Sequence, residues 1–258
     1  MRGTYWLKGL ALIAYGSVIM MNILANAWPL FGRSTGAISN QFDALFTPAG
    51  LTFSIWGLIY LLLGLFVARL LTYDATTDPV LFRKLTVWFI ISCLLNIAWL
   101  VVWHALLIAW AMTALFFLTY AVGRIAVLIH ESASSSSRFE RTTFMIYFGW
   151  VSVATIANVT IWLVSLNLLD PFGAASIGWT TGLVFIGTTI AILVVRYFMS
   201  PTYGLVFVWA YFGIVLKQFE RSQPVPWVLV IALLICIVLI LASSALTILP
   251  KKRIASFV

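Results

Sequence analysis

The sequence predicts an all-α protein, a polytopic transmembrane helix bundle of eight helices. Three observations carry that prediction. Hydrophobic residues make up 63% of the 258-residue chain and charged residues only 9%, with a mean hydropathy of +1.10, whereas a soluble domain carries about a quarter charged residues. Eight apolar stretches each come near the roughly 20 residues that a helix needs to cross a bilayer; they lie near 7–27, 50–71, 83–103, 106–128, 143–165, 175–198, 203–219 and 226–248. If the eight alternate in direction, only Arg33, Lys217 and Arg221 of the 15 Lys and Arg fall on the side away from the N-terminus. Cytoplasmic loops retain such an excess, so both termini are expected in the cytoplasm, with the bundle in a bacterial plasma membrane. The net charge of +8 then reports topology, and no nucleic-acid surface is inferred from it.

Taken in order, the first segment imitates a signal peptide, with Arg2 and Lys8 before an apolar run that ends in Ala25-Asn26-Ala27. Asn22 interrupts that run, and retention as the first transmembrane helix is expected. The loop from Trp28 to Ala49 is the longest on its side, holds Pro29, Gly32, Gly36, Asn40 and Asp43, and has the length of a functional lid. Behind it, Thr47-Pro48-Ala49-Gly50 leads into the second helix. The proline fixes φ and the glycine permits close backbone approach, so Thr47, Pro48 and Gly50 are read as a hinge.

Residues 83–130 are almost unbroken, and one helix of that length would measure roughly 70 Å. The chain must turn back, near Trp103, His104 and Ala105, where a wet imidazole suits the interface. The stretch "ESASSSSRFER" reads as a flexible connector, because Ser132 and Ser134 to Ser137 bury too little apolar area to fold. The last segment, "WVLVIALLICIVLILASSAL", is nearly uniform aliphatic and is expected to face lipid. An echo between "GLTFSIWGLIY" and "GLVFVWAYFG" is of the kind that apolar helices produce by chance.

Enzyme signatures are missing. The sequence has no Gly-rich phosphate loop, no Cys/His cluster with metal spacing and no Ser-His-Asp set that the topology would unite, so neither catalytic residues nor a metal site are assigned. Cys93 and Cys236 fall inside apolar spans, where a thiol packs as a small hydrophobe. Arg69, Arg124, Arg196 and Lys217 lie near span ends and can snorkel. Proton-coupled pumps need buried carboxylates or imidazoles, which argues against that class. His104 and His130 sit at predicted helix ends; an interfacial imidazole is the reading chosen over a haem axial ligand.

The interior is instead rich in amide, hydroxyl and indole groups. Asn22 and Asn26 lie in the first helix, Thr52, Ser54 and Trp56 in the second, Asn96 and Trp99 in the third, and Trp150, Asn158 and Trp162 in the fifth. Trp56 and Tyr60 are one turn apart, Asn96 and Trp99 are i, i+3, and Trp150, Ala154 and Asn158 fall at i, i+4, i+8. Indole walls dotted with uncharged hydrogen-bonding groups suit a large, flat, mostly apolar ligand. Competing structural roles are interfacial belts, assigned to Trp6, Trp28, Trp103, Trp179 and Trp227, and interhelical hydrogen bonding by intramembrane Asn and Thr. The combination of Trp56, Asn96, Trp150 and Asn158 is what points to a ligand.

Three segments in register resemble the tryptophan-rich sensory protein, or translocator, family, also known as the peripheral-type benzodiazepine receptors. "TPAGLTFSIWGLIYLLLG" is similar to that family's Pro-Pro-containing approach to its second helix. "LLNIAWLVVWH" is similar to its third-helix Leu-Asn-x-x-Trp, and "YFGWVSVATIAN" to its fifth-helix Tyr-x-x-Trp-x-x-x-Ala-x-x-x-Asn. The resemblance implies a five-helix bundle over 1–166, with 167–258 supplying three additional transmembrane helices and a short tail. It also implies a pocket closed by the first loop, with Trp56 and Trp150 facing the ligand and Asn96 and Trp99 at its polar end. Tyr60, Tyr147 and Asn158 fall on motif positions, and Thr52 sits just below the entrance. The family's Trp-Tyr and Lys-Pro elements are absent from this first loop, and Ala49 replaces the second proline.

The implied function is reception of a porphyrin-like or sterol-like molecule, with porphyrin or haem as a ligand rather than a required cofactor. Transport of such a molecule, its light-dependent degradation, or a scaffolding role are the alternatives. The expected partners are the lipid bilayer and an apolar small molecule, and a homodimer is an assembly open to the chain.

Overall fold

A computed structural model describes residues 2–27, 32–42, 44–132, 137–170 and 173–249. Trp28, Pro29, Asp43, Ser134 to Ser136 and the basic tail of Lys251, Lys252 and Arg253 lie outside the described residues, as does the side chain of Asn26. The described chain is helical: α1 Arg2–Asn26, α2 Thr35–Phe42, α3 Ile55–Thr72, α4 Pro79–His104, α5 Ile108–Glu131, α6 Arg138–Ser165, α7 Ala174–Phe198, α8 Pro201–Glu220 and α9 Trp227–Ile248. A 3-10 turn, Gly50–Ser54, leads into α3. Eight of the helices are long and apolar enough to cross a membrane, and the protein is a helical membrane bundle. Only α2 was not expected; its eight residues, TGAISNQF, are too few and too polar to register as an apolar run.

Local chemistry accounts for the helix ends. Asp78 caps α4, its carboxylate accepting from Leu81 N at 2.9 Å with Pro79 in the first turn. Ser137 and Glu140 form a capping box at the start of α6. Lys8 Nζ donates to Leu71 O and Tyr73 O, at 2.9 and 2.7 Å, and so satisfies the C-terminal carbonyls of α3.

The turn between α4 and α5 falls at the position that length demands, although it has no glycine. Leu107 N donates to Val102 O and Leu106 N to Trp103 O, the paired bonds of a Schellman motif, and Leu106 takes the left-handed position at φ 58°. Met199 closes α7 in the same region, at φ 49°. A left-handed backbone costs a residue with a Cβ about 1–2 kcal/mol, and Met199 is exposed. Met199→Gly is therefore expected to stabilise the protein by about 0.5–1 kcal/mol once glycine's larger unfolded-state entropy is included; thermal unfolding in detergent measures it.

Helices α1, α3, α4, α5 and α6 pack as neighbours, and α7, α8 and α9 form a second group that joins the first chiefly through α6 and α8. Close approach relies on small residues. A Cβ on Gly149 would lie 2.9 Å from Val206 Cβ, which holds α6 against α8, and Tyr203 Oη donates to Ser152 Oγ at 2.9 Å across the same seam. On the other flank Tyr15 of α1 lies over Gly64 of α3 and donates to Tyr60 O at 2.9 Å.

Candidate functional site

Helix α3 presents Trp56 and Tyr60 on one face, and the i, i+4 spacing stacks the two rings at 5.3 Å with 14° between planes. Trp56 is also stacked on Trp99 of α4 at 5.9 Å and meets Tyr147 and Trp150 of α6 edge-on at 6.3 and 6.1 Å. Trp99 continues the stack to Trp103 at 6.1 Å, and Phe53 of the 3-10 turn meets Trp150 at 6.0 Å. Three helices, α3, α4 and α6, thus meet at one half-buried indole. Offset and edge-on pairs of this kind contribute about 0.5–1.5 kcal/mol each beyond area burial.

A cavity of about 600 Å³ opens against this cluster, walled by Asn22, Thr35, Phe53, Trp56, Tyr60 and Trp99 among others. A smaller one of about 50 Å³ adjoins it, sharing Thr35, Phe53, Trp56 and Trp99 and adding Thr47, Pro48, Trp103, Trp150 and Asn158. The larger volume lies within the roughly 300–1,000 Å³ of small-molecule sites. Buried polar atoms in the walls have no hydrogen-bond partner among the described residues: Trp99 Nε1, Trp150 Nε1, Asn158 Oδ1 and Thr47 Oγ1. An unsatisfied buried group costs about 1–3 kcal/mol.

Of the residues that the sequence nominates, Trp56, Tyr60, Trp99 and Gly50 border the large cavity, and Trp150, Asn158, Thr47 and Pro48 border the small one. Asn96 and Tyr147 are buried beneath, where Asn96 Nδ2 lies 3.4 Å from Tyr147 Oη and Asn22 Nδ2 3.5 Å from Asn96 Oδ1. They make a polar floor rather than a wall. Thr52 points the other way. It packs on Gly213 of α8, and its carbonyl accepts from Trp209 Nε1 at 3.0 Å.

His104 and Trp103 do not sit at the wet interface that their place at a span end predicts. His104 is buried rather than wet: Nδ1 donates to Leu100 O at 2.8 Å, and Nε2 faces Thr35 Oγ1 at 3.5 Å. Trp103 is only 2% exposed and so is no belt residue; its Nε1 donates to Thr35 O at 3.4 Å. Both side chains lie under α2, which the first loop folds across this end of α4. Trp6, Trp179 and Trp227, by contrast, are exposed. Spacing could have found Trp103, since it lies four residues beyond Trp99 and seven beyond Asn96 on the same helix face. For a haem, the walls offer ring faces and indole N–H donors, while His104 is spent on α2 and the end of α4.

The first loop is held by α8. Ala49 N donates to Gly213 O at 2.9 Å, Gln218 Nε2 to Leu45 O at 3.2 Å, and Arg221 Nη2 to Ala44 O at 2.8 Å. Phe46 meets Tyr211 edge-on at 6.4 Å. Thr47, Pro48 and Ala49 of the stretch read as a hinge are therefore buried and strapped, with Thr47 and Ala49 at 1% and 2% exposure, while Gly50 is exposed.

No curated protein and no solved structure matches the chain. A family model described as TSPO-like protein matches residues 8–245. The match runs from within α1 to within α9, so it takes in the aromatic cluster and the strapping helix together. The chain belongs to the TSPO-like protein family.

Proposed function

We propose that this TSPO-like membrane protein binds a flat, mostly apolar molecule of the porphyrin or sterol class in the cavity against Trp56. One observation carries the reading: an indole in contact with four other aromatic rings borders about 600 Å³ of space, beside Trp99 and Trp150 N–H groups that no acceptor among the described residues meets. A macrocycle or fused-ring face stacks on the indoles, and a carbonyl or carboxylate at its edge accepts from those N–H groups. The cavity has no charged wall residue among those named, so a ligand with a large apolar body is favoured.

The test is a titration of the detergent-purified protein with protoporphyrin IX, following tryptophan quenching and the porphyrin absorbance band. Saturable binding is expected. Trp56→Phe should weaken it about tenfold, the equivalent of one stacked pair. Absence of saturation, or identical affinity in Trp56→Phe and Trp150→Phe, sinks the proposal.

A second reading, transport, has its own support. The α3 face that carries Trp56 and Tyr60 continues through Leu63 and Phe66 to Leu70, and Phe66 and Leu70 border another cavity of about 360 Å³ at the opposite end. Between the two lies an aromatic plug of Phe66, Phe89 and Phe144, with ring centroids 4.9 and 5.2 Å apart. Porphyrin flux into liposomes above bilayer leakage, faster in Phe66→Ala, is the result that transport requires.

A further inference from the structure

At the Lys/Arg-rich end of the bundle, away from the aromatic cluster, lies a cavity of about 520 Å³ with different walls. It sits where α5 ends, α6 begins, α7 turns into α8 and α9 ends. Arg138 and Arg141 border it from the first turns of α6, and His130 from the last turn of α5. Hydroxyls of Thr142, Ser200, Thr202 and Thr247 complete the polar wall, and among the described residues that border it none is Asp or Glu.

The charge arrangement at this cavity is specific. Glu140, the acidic residue in the first turn of α6, faces away from this cavity, where its carboxylate accepts from Ser137 N at 3.1 Å in the capping box and from Arg69 Nε at 2.9 Å. Arg138 makes no ion pair among the described residues. Arg138 stands at the first position of α6, where positive charge meets the positive end of the helix dipole. The start of α8 adds the same sign: Ser200 precedes it without a side-chain capping bond, and Pro201 occupies its first turn. An anion in the cavity would face Arg138 and the start of α8 together.

The remaining walls are apolar. Ile129, Phe144, Met145 and Phe198 border the cavity, the Phe198 and Tyr197 rings lie 5.2 and 5.5 Å from that of His130, and Tyr197 and Ile248 are exposed. Cationic and hydroxyl groups beside apolar walls, at the end of a membrane span, match a phosphate joined to an acyl chain.

We infer that this cavity is a binding site for the phosphate of an anionic phospholipid headgroup. Arg138 and Arg141 supply charge-assisted donors to the phosphate oxygens, the hydroxyls accept or donate around them, and the acyl chains leave along Tyr197 and Ile248. The inference does not depend on what the aromatic cavity binds.

Native mass spectrometry of the whole protein, released from neutral detergent after titration with phosphatidylglycerol or phosphatidylcholine, tests it. Phosphatidylglycerol should be retained at least tenfold more tightly than phosphatidylcholine. Arg138→Gln/Arg141→Gln should abolish that preference, while Arg83→Gln/Lys84→Gln, which removes the same charge from the same end of the bundle, should keep it. Equal retention of both lipids, or equal loss in both double variants, overturns the site in favour of diffuse surface attraction. Inorganic phosphate that competes with phosphatidylglycerol supports the same anion site. Phosphate binding without any lipid preference overturns the lipid as its source. Arg138→Lys/Arg141→Lys retains charge and serves as a second variant should the Gln pair fail to fold; it should retain most of the preference.

Discussion

Gly213→Ala should destabilise the protein by about 3 kcal/mol, the upper part of the range for overpacking a core. The single methyl would lie 1.9 Å from Thr52 Oγ1, 2.8 Å from Thr52 Cγ2 and 2.9 Å from its Cβ. Neither side can yield cheaply. Thr52 sits in a 3-10 turn whose carbonyl is tied to Trp209, and the backbone of Gly213 receives Ala49 N–H. Separation of α8 from the turn would loosen residues 44–52, the strip that carries Thr47 and Pro48 to the aromatic cavities. Unfolding in detergent reads the stability loss, and any ligand of the cavity should bind more weakly in the same variant. Adding Thr52→Ala removes the two closest contacts but leaves the third, so the pair should recover part of the loss and show coupling in a double-mutant cycle. A Gly213→Ala protein as stable as the parent would mean that α8 does not hold the turn.

Trp56→Ala should cost about 3 kcal/mol, the low end for removing a large aromatic side chain, because the indole is half-buried. Tyr60, Trp99, Tyr147 and Trp150 would each lose a ring neighbour, and the two cavities that Trp56 borders would merge. Trp56→Phe retains a ring and should cost roughly 1 kcal/mol. Thermal unfolding of the two variants side by side measures the difference. A neutral Trp56→Ala would reduce Trp56 to a cavity wall with no part in holding α3, α4 and α6 together.

The sequence revealed what bilayer thickness determines. All eight spans could be read because an apolar run of fixed length has few alternatives, and the turn after His104 could be read because an unbroken 48-residue helix has nowhere to fit. Thr52 shows the limit. Its distance from Trp56 along the chain says that both lie near one helix start, but the direction each takes depends on α8, which enters the sequence some 150 residues later. His104 and Trp103 show another limit. Nearness to a span end normally means water, and only the fold of α2 over that end makes the position dry. Spacing found Trp56 with Tyr60, and Trp150 with Asn158, because those pairs share a helix; the meeting of Trp56, Trp99 and Trp150 required three helices to be placed.

The strap between the first loop and α8 also fixes an order in time. Thr52 and Trp209 are 157 residues apart, and a ribosome adds roughly 5–20 residues per second. For some 10–30 s after residues 44–52 have left the ribosome, the groups that will hold them do not exist. The aromatic site can therefore acquire its final wall only after the translocon has released α8, and the cell makes a loosely roofed bundle before it makes a closed one.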